Sequence, residues 1–282
     1  MRGGQGRVQR VAVVLREPLL RLNALYRELE QAGLSVSTRR LTHAVLHRSL
    51  RDAVRWGRLV RNPADMADPP AASRTRVQAW TAGELGRFLG HVREERLFAL
   101  WRLAATSGMR RGELAGLCWR CLDLDGGRLS VEQQLVPTRG GCSFGPPKSA
   151  RSRRTIALDS ETVDVLREHR ETQLLERAVA GGDAYADADL VFADALGGWI
   201  HPQRLTERFG ELRKAAGIPV GTLHVLRHTH ATLALTSGIP VHIVAARLGD
   251  DPKTVLSTYA YLLPQSDELA AERVAAVLSE VG

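Results

Sequence analysis

The sequence contains little cysteine and no apolar run long enough to cross a membrane. Only three of its 282 residues are cysteines, a small and odd number that favours a reducing compartment over a framework of disulfides. The continuous apolar run near the N-terminus, Val11 to Leu15, is far shorter than the roughly 20 residues of a transmembrane helix. No small-residue cleavage site follows it. We therefore expect a cytoplasmic protein with no membrane partner.

The sequence also lacks the motifs of metal-dependent and nucleotide-dependent enzymes. No carboxylate cluster suited to Mg²⁺ is evident, and the Gly-Met-Arg-Arg-Gly segment that begins at Gly108 lacks the Lys-Ser/Thr end of a P-loop. Cys118 and Cys121 have the spacing of a redox or zinc motif, but no second pair accompanies them, so we expect both to pack in a core. We predict neither a metal nor a cofactor.

The chain has an excess of positive charge. Lysine and arginine number 39 against 31 aspartate and glutamate residues, and the isoelectric point is near 10.1. This balance makes a polyanion the first partner to consider, although charge alone leaves an inert basic surface as an equal alternative. The length allows two domains, and 44% hydrophobic with 25% charged residues is typical of a soluble globular chain.

Residue patterns predict two helices in the N-terminal part. Residues 1–17 show no clear periodicity and are assigned as a basic tail or an undetermined element. Apolar residues recur at helical spacing from Pro18 to Ala32, and Gly33 ends the run. A longer helix is predicted from Ser37 to about Leu59. Its buried stripe should consist of Leu46, Leu50, Ala53 and Val54.

Four arginines follow one side of the second predicted helix. Asp52 alone interrupts them, whereas a solvated face usually mixes in more acidic residues, so we interpret the side as a DNA-contacting surface. We call it the arginine ridge, and it consists of Arg48, Arg51, Arg55 and Arg58.

A proline-rich segment marks the boundary between two domains. Residues 18–70 form the first predicted domain and residues 71–80 the linker. The second domain spans residues 81–282 and opens with a capping box from Thr81 to Glu84. It is predicted to be mainly α, with a helix over Leu97–Thr106 and a small antiparallel sheet. Strands are predicted at Leu129–Leu135 and Arg153–Leu158.

Three separated motifs carry groups suited to cutting a phosphodiester through a tyrosine. Arg110 and Arg227 can bridge the two non-bridging oxygens of a phosphate, His224 can donate to the same group, and the phenol of Tyr259 can attack the phosphorus. His224 and Arg227 lie one helical turn apart and share a face. His228 and His230 follow on the same helix, and we expect them to pack or to face DNA.

In order and spacing these motifs resemble the tyrosine recombinase, or phage integrase, family of DNA breaking-and-joining enzymes, from about Leu25 to Leu263. The family's first arginine begins an Arg-x-x-Glu-Leu motif, which is matched by Arg110 and Glu113. Its hairpin lysine, the general acid to the leaving 5′-hydroxyl, corresponds to Lys148. Its His-x-x-Arg-His-Thr helix corresponds to His224 through Thr229, and its nucleophile to Tyr259.

The resemblance implies a two-domain recombinase that acts on double-stranded DNA. Residues 18–70 would be a helical core-DNA-binding domain and residues 81–282 the catalytic domain, with the bond energy kept in a 3′-phosphotyrosine and no ATP or metal required. A homo-tetramer on paired DNA sites is also implied. In that assembly the C-terminal helix, predicted over Glu268–Val281, would pack on a neighbouring protomer.

The chain departs from the family pattern at three places. Asp250 stands nine residues before Tyr259, where the family usually has His or Trp, and an ionised carboxylate repels phosphate. It must therefore point away, be protonated or weaken the activity. Tyr261 stands where the family often has His. About two helices precede the linker where the family has four or more, which predicts a shortened first domain. Asp250 and the short first domain leave open a degenerate relative that binds DNA without cutting it.

Overall fold

The chain divides into two compact units, Met1–Thr75 and Arg76–Gly282. The computed structural model describes residues 20–69, 77–181, 184–218, 221–262 and 267–279. Within these ranges the structure is mostly helical with small antiparallel sheets, as the sequence predicted. The predicted domain and linker boundaries, and the use of the first domain for DNA binding, stay predictions.

The described part of the first unit, residues 20–69, contains two helices and a short turn. Helix α1 covers residues 20–31, helix α2 is Val36–Arg55, and a 3-10 turn follows at Pro63–Met66. Ser35 caps α2 by accepting a hydrogen bond from the backbone nitrogen of Thr38 at 3.2 Å. The two helices are joined by the hydroxyl of Tyr26, which is 2.7 Å from Nδ1 of His43.

Helix α2 is shorter and less buried than the sequence predicted. It ends at Arg55 rather than near Leu59, because Gly57 adopts a left-handed φ of 68° that a continuing helix does not allow. No residue of α2 is fully buried. The predicted stripe is therefore only half-buried along its length: Leu46, Leu50, Ala53 and Val54.

The second unit contains nine described helices and five described strands. The strands are β1 (Leu122–Asp123), β2 (Arg128–Val131), β3 (Gln134–Thr138), β4 (Gly141–Gly145) and β5 (Arg154–Ala157). The helices are α3 (Ala82–His91), α4 (Phe98–Ser107), α5 (Arg111–Ala115), α6 (Ser160–Ala180), α7 (Pro202–Ala215), α8 (His224–Thr236), α9 (Val241–Leu248), α10 (Pro252–Tyr259) and α11 (Asp267–Ser279).

The main core packs helices around a group of aromatic rings. Trp80, Phe88, Trp101 and Phe209 are buried, with ring centroids 5.2 to 6.0 Å apart. The predicted capping box starts α3, since Glu84 accepts from the backbone nitrogen of Thr81 at 2.8 Å. A second, smaller core joins α8, α9 and α10.

The segment predicted as one strand over Leu129–Leu135 is two strands in two sheets. Strand β2 lies between β1 and β5, and β3 pairs with β4, all antiparallel. The chain leaves the first sheet after Val131, and the side-chain amide of Gln133 donates to the carbonyl of Gly116 at 2.8 Å. The alternation of apolar and polar residues predicted correctly which side chains are buried, since Leu129 and Leu135 both are. The change of partner strand is not encoded in that alternation.

The cysteine prediction needs a correction. The structure joins Cys118 and Cys121 as a disulfide, whereas the sequence favoured free thiols. Both residues are buried, as expected. Cys118 caps the single 3-10 turn Trp119–Cys121 and Cys121 is its last residue, which brings their side chains together. Cys142 is a free, partly exposed cysteine.

Candidate active site

Arg110 is held at the N-terminus of α5. Helix α4 ends at Ser107 with Gly108 as its C-cap, and the two residues that follow carry the chain into α5. The backbone nitrogen of Arg110 donates to Glu113 Oε2 at 2.9 Å, and its Nη1 donates to Glu113 Oε1 at 2.8 Å. Nη1 also lies 3.3 Å from the hydroxyl oxygen of Ser152. One carboxylate therefore fixes both ends of this arginine.

Glu113 is a buried anion between two arginines. Its side chain is 1% exposed, and Arg154 donates from Nη2 to Oε2 at 3.0 Å. Burial alone would raise the pKa of Glu113, but the hydrogen bonds and charge of Arg154 and the bonds from Arg110 outweigh it and lower the pKa. Glu113 is thus an ionised residue that orients Arg110.

Arg227 is held by two backbone carbonyls that end neighbouring helices. Its Nη1 donates to the carbonyl oxygens of Gly108 at 2.6 Å and Leu248 at 2.9 Å. Its side chain is 4% exposed. Gly108 has a φ of 64°, and a Cβ there would meet Leu248 Cδ2 at 2.6 Å, so glycine is required for both the turn and the close packing.

Asp250 lies between the two arginines. Its Oδ1 accepts from Nη2 of Arg110, and its Oδ2 accepts from Nη2 of Arg227 at 2.6 Å. The preceding Gly249 is left-handed at φ 68° and ends α9, which turns the next side chain towards the site. The structure therefore rules out the expectation that Asp250 points away. Its two oxygens occupy the place where we expected two phosphate oxygens.

Two of the three histidines of α8, His224 and His228, lie one turn apart beside the arginine pair. The rings of His224 and His228 meet edge to face, with centroids 4.6 Å apart. His224 is on the exposed side of the site, and partial burial of its ring together with the charges of Arg227 and Arg110 lowers its pKa. His228 is half-buried. Burial, with His224 and Arg227 nearby, lowers its pKa to about 4.

Tyr259 is buried at the end of α10. Its side chain packs in the small core with Leu235, Val244 and Leu248 and is 4% exposed. The hydroxyl lies 2.6 Å from Nδ1 of His228. Burial raises the pKa of Tyr259 to about 12, while the charge of Arg227 opposes the rise. The phenol is therefore protonated at neutral pH and close to the arginine pair.

Lys148 and Tyr261 take no part in the contact between Tyr259 and His228. Lys148 is exposed in the loop between β4 and a 3-10 turn, Ala150–Ser152, whose Ser152 reaches Arg110. Tyr261 is 42% exposed, and its hydroxyl donates to the backbone carbonyl of Val77 at 3.2 Å. Of the two tyrosines, Tyr259 is the one that the structure brings to His228.

Two residues of the site were missed by the sequence reading. His228 was expected to pack or to face DNA, and its contact with the hydroxyl of Tyr259 was not predicted. Its position four residues after His224, on the same helix face, was the available signal. The sequence placed Arg154 in a predicted strand and gave it no role in the site, whereas in the structure it is the partner that keeps Glu113 ionised. His230 packs as expected, with Nε2 accepting from Arg247 Nε at 3.1 Å.

The arginine ridge is exposed but partly paired. Asp52 lies between Arg48 and Arg55, with nitrogen-to-oxygen distances of 3.6 and 3.5 Å, so the single acidic residue touches two of the four cations. Arg58 lies beyond the end of α2 and is not on the same helix as the other three. All four arginines are exposed.

The C-terminal helix keeps part of its apolar surface in solvent. Val274 and Leu278 on α11 are 61% and 70% exposed. The side chains of Leu269, Val277 and Val281, which belong to the same predicted stripe, lie outside the described residues.

Neither a metal site nor a membrane-spanning helix is found in the described part of the chain. No group of three or more His, Cys, Asp or Glu side chains is placed to hold a metal ion there. No helix among these residues is both long and apolar enough to cross a bilayer.

Comparison with known proteins gives the same family throughout. The model of the phage integrase family matches residues 81–265. A XerC-like tyrosine recombinase from Caldanaerobacter subterraneus subsp. tengcongensis is 27% identical over 90% of this chain and 69% of its own length. An integrase from Streptomyces ambofaciens is 29% identical over 76% of this chain, which spans 58% of that relative.

Solved structures share the fold. The integrase of transposon Tn1549, in complex with a circular intermediate DNA, matches with a TM-score of 0.75 at 17% identity, covering 92% of this chain and 85% of that one. A lambda integrase dimer bound to a core site matches with a TM-score of 0.58 at 18% identity, covering 89% and 77%. Because the family model covers more than half of the chain, the protein belongs to the phage integrase family of tyrosine recombinases, enzymes that cut and rejoin DNA.

Proposed function

We propose that this chain cuts double-stranded DNA by attack of the Tyr259 hydroxyl on a backbone phosphate, leaving a 3′-phosphotyrosine and a free 5′-hydroxyl. The observation that carries the proposal is the carboxylate of Asp250, which is held by Arg110 and Arg227 beside Tyr259. A site that binds one oxyanion through two guanidiniums has the donors that a phosphodiester needs.

The two arginines would neutralise the charge that develops on the phosphate during attack. Arg227 is fixed by two carbonyls and Arg110 by Glu113, so little reorganisation accompanies the reaction, which is the condition for strong electrostatic stabilisation. His224, on the exposed side of the site, would donate to the same phosphate. Lys148 would protonate the departing 5′ oxygen, since its loop is tied to Arg110 through Ser152.

Asp250 has to leave the arginine pair when DNA enters. A phosphate and an ionised carboxylate cannot share two guanidiniums without like-charge repulsion. Asp250 is 25% exposed and follows a glycine, so a side-chain rotation towards solvent would release it. The free protein would thus hold its own anion in the place of the substrate's. The non-cleaving alternative is not favoured, because the named relatives are recombinases and integrases.

A covalent-complex assay tests the proposal. The protein is incubated with end-labelled duplex DNA from its own genomic neighbourhood and separated on a denaturing gel. We expect a protein-linked 3′ end with the wild type and with Tyr261→Phe, and none with Tyr259→Phe, whose affinity for the DNA should be unchanged. Attachment that is lost only in Tyr261→Phe would move the nucleophile to Tyr261 and refute the assignment.

Two features support a wider assembly on DNA. The exposed arginine ridge fits contact with the DNA backbone, and the exposed apolar residues of α11 fit a helix that packs on a neighbouring protomer. We therefore propose a homo-oligomer, a tetramer on paired DNA sites. The cytoplasmic location stays a prediction.

A further inference from the structure

The phenol of Tyr259 must lose a proton before or during attack. The side chain is 4% exposed and packs in an apolar core, so bulk water has little access to its hydroxyl. Burial raises its pKa to about 12, which leaves only a minute fraction of phenolate at neutral pH. A proton acceptor inside the protein is therefore needed for the cut.

His228 is in the position of such an acceptor. Its Nδ1 lies 2.6 Å from the Tyr259 hydroxyl oxygen, within the distance at which a general base acts. The two groups come from different helices, α8 and α10, which pack in one small core and fix the contact.

The ring of His228 is neutral near pH 7 and so has a nitrogen lone pair to offer. Burial, together with the charges of His224 and Arg227, lowers its pKa to about 4, while Asp250 opposes them. A protonated ring could only donate to the phenol. A neutral ring whose hydrogen is on Nε2 can accept from it.

We propose that His228 Nδ1 accepts the phenolic proton as Tyr259 attacks the phosphate, an inference that rests on the proposed function. The Tyr259 oxygen forms a bond to phosphorus, the bond from phosphorus to the 5′ oxygen breaks, and that oxygen takes a proton from the Lys148 ammonium. The phenolic proton passes to the His228 ring and from it to solvent, which leaves the ring neutral again. When the strands rejoin, the 5′-hydroxyl gives its proton to Lys148 and the departing phenolate regains a proton through His228.

His224 has a different position and so a different task. It lies one turn before His228, on the exposed side of the site, and meets the His228 ring only by its edge. The nearby charges that lower its pKa after burial are those of Arg227 and Arg110, so it lies beside the two arginines that would hold the phosphate. Two histidines of α8 therefore have separate roles, His224 toward the phosphate and His228 toward the nucleophile.

The test is the pH dependence of single-turnover cleavage in His228→Asn. Asparagine can still accept a hydrogen bond near the Nδ1 position, but it cannot take the proton. At pH 7 we expect the rate to fall about 10² to 10⁴-fold, the usual contribution of a general base. The variant must then use pre-ionised phenol, so the ratio of wild-type to variant rate should fall about tenfold for each pH unit from 6 to 8.

A matched control is His230→Asn, two residues further along α8. His230 is likewise shifted to a pKa of about 4 by burial, but it bonds to Arg247 instead of Tyr259. The ratio of the wild-type cleavage rate to the His230→Asn cleavage rate should not change with pH. Thermal melting of both variants would show whether each is folded at the assay temperature.

The outcomes separate this inference from the proposed function. If the wild type forms no covalent complex, or Tyr259→Phe still forms one, the proposed function fails. If the wild type cuts and the rate ratio of His228→Asn is the same at every pH, His228 only supports Tyr259 and the inference is overturned. A His228→Asn rate equal to that of the wild type would overturn it as well.

Discussion

Replacing Asp250 tests whether the free protein fills its phosphate site with its own carboxylate. In Asp250→Asn the two guanidiniums lose their shared anion. Arg227 keeps its two carbonyls and Arg110 keeps Glu113, but two cations now face each other with Arg227 only 4% exposed. Breaking a buried ion pair by removing one partner costs about 3 to 5 kcal/mol. The lower value, about 3 kcal/mol, suits a carboxylate that is 25% exposed.

The loss of folding stability in Asp250→Asn should appear as a lower melting temperature. For a unit of the size of Arg76–Gly282, 1 kcal/mol corresponds to a shift of about 2 to 4 °C, so about 6 to 12 °C is expected. The control is Asp251→Asn, the same chemical change at the next position. Asp251 pairs with Arg151 on the surface and caps α10, and asparagine is an equally good cap. Its melting temperature should change little.

An added oxyanion should restore the melting temperature of Asp250→Asn. Sulfate at 100 times its dissociation constant contributes about 2.7 kcal/mol, close to the loss expected in Asp250→Asn. In the wild type the carboxylate already occupies the site, so sulfate should raise its melting temperature less, with chloride at equal ionic strength as reference. Equal sulfate shifts in wild type and variant would refute the reasoning, because they would mean that the carboxylate does not compete for the arginine pair.

The same substitution should speed the reaction with DNA. Separating the Asp250 carboxylate from the two guanidiniums before a phosphate can replace it costs on the order of kilocalories per mole, so a gain of roughly tenfold or more in cleavage rate is expected for Asp250→Asn. Asp250→His, which restores a donor that the family usually has there, should gain at least as much. Slower cleavage in both variants would show that the carboxylate takes part in the reaction.

The other predictions concern acid stability, the arginine ridge and α11. Burial lowers the pKa of His228 and His230 from 6.5 to about 4, so between these values the unfolded chain binds protons that the folded chain does not. Stability should therefore be lost as pH falls from 6.5 to 4, by about 1.4 kcal/mol per pH unit for each histidine. Urea unfolding at several pH values gives the free energy of unfolding as a function of pH, and its slope between pH 4 and 6.5 should be shallower by that amount in His230→Asn than in the wild type. Equal slopes would contradict the assignment. If the arginine ridge contacts duplex DNA, each alanine substitution that removes a phosphate contact should shallow the slope of log affinity against log salt by about 0.9. An unaltered slope in the quadruple variant would leave the ridge as a solvent-exposed face. Deleting residues 268–282 should spare the melting transition and single-site binding and abolish the joining of two DNA sites in gel-shift assays, whereas loss of the transition would place α11 in its own core.

Local patterns predicted elements well where a short-range signal decides them. The capping box from Thr81 to Glu84 depends on four consecutive residues, and it is present. The strand near Arg153–Leu158 was found at β5, Arg154–Ala157. The end of α2 was missed by about four residues, since the pattern continued past Gly57 and the left-handed turn there depends on backbone conformation. The split between β2 and β3 was missed because alternation records which side chains are buried and not which strand is the partner.

The candidate site shows the same limit over longer distances. The sequence supplied the residue types in the right order, but not which atoms meet. Arg110 and Asp250 are 140 positions apart, and Tyr259 and His228 are 31 apart. Their contacts follow from how the ends of α4 and α9 pack against the first turn of α8, where the carbonyls of Gly108 and Leu248 both accept from Arg227. No pairwise spacing in the sequence contains that packing.

Asp250 is where local and long-range information conflict most sharply. Read alone, an aspartate beside a phosphate site argues against activity. Placed between two fixed arginines, it becomes the anion that allows Arg227 to be buried before DNA arrives, because an unpaired guanidinium at 4% exposure would be costly. The same residue can therefore stabilise the free protein and oppose the bound phosphate. A recombinase built this way would exchange an internal ion pair for a DNA phosphate, so its affinity for the cleavage site would be reduced by the free energy of that pair.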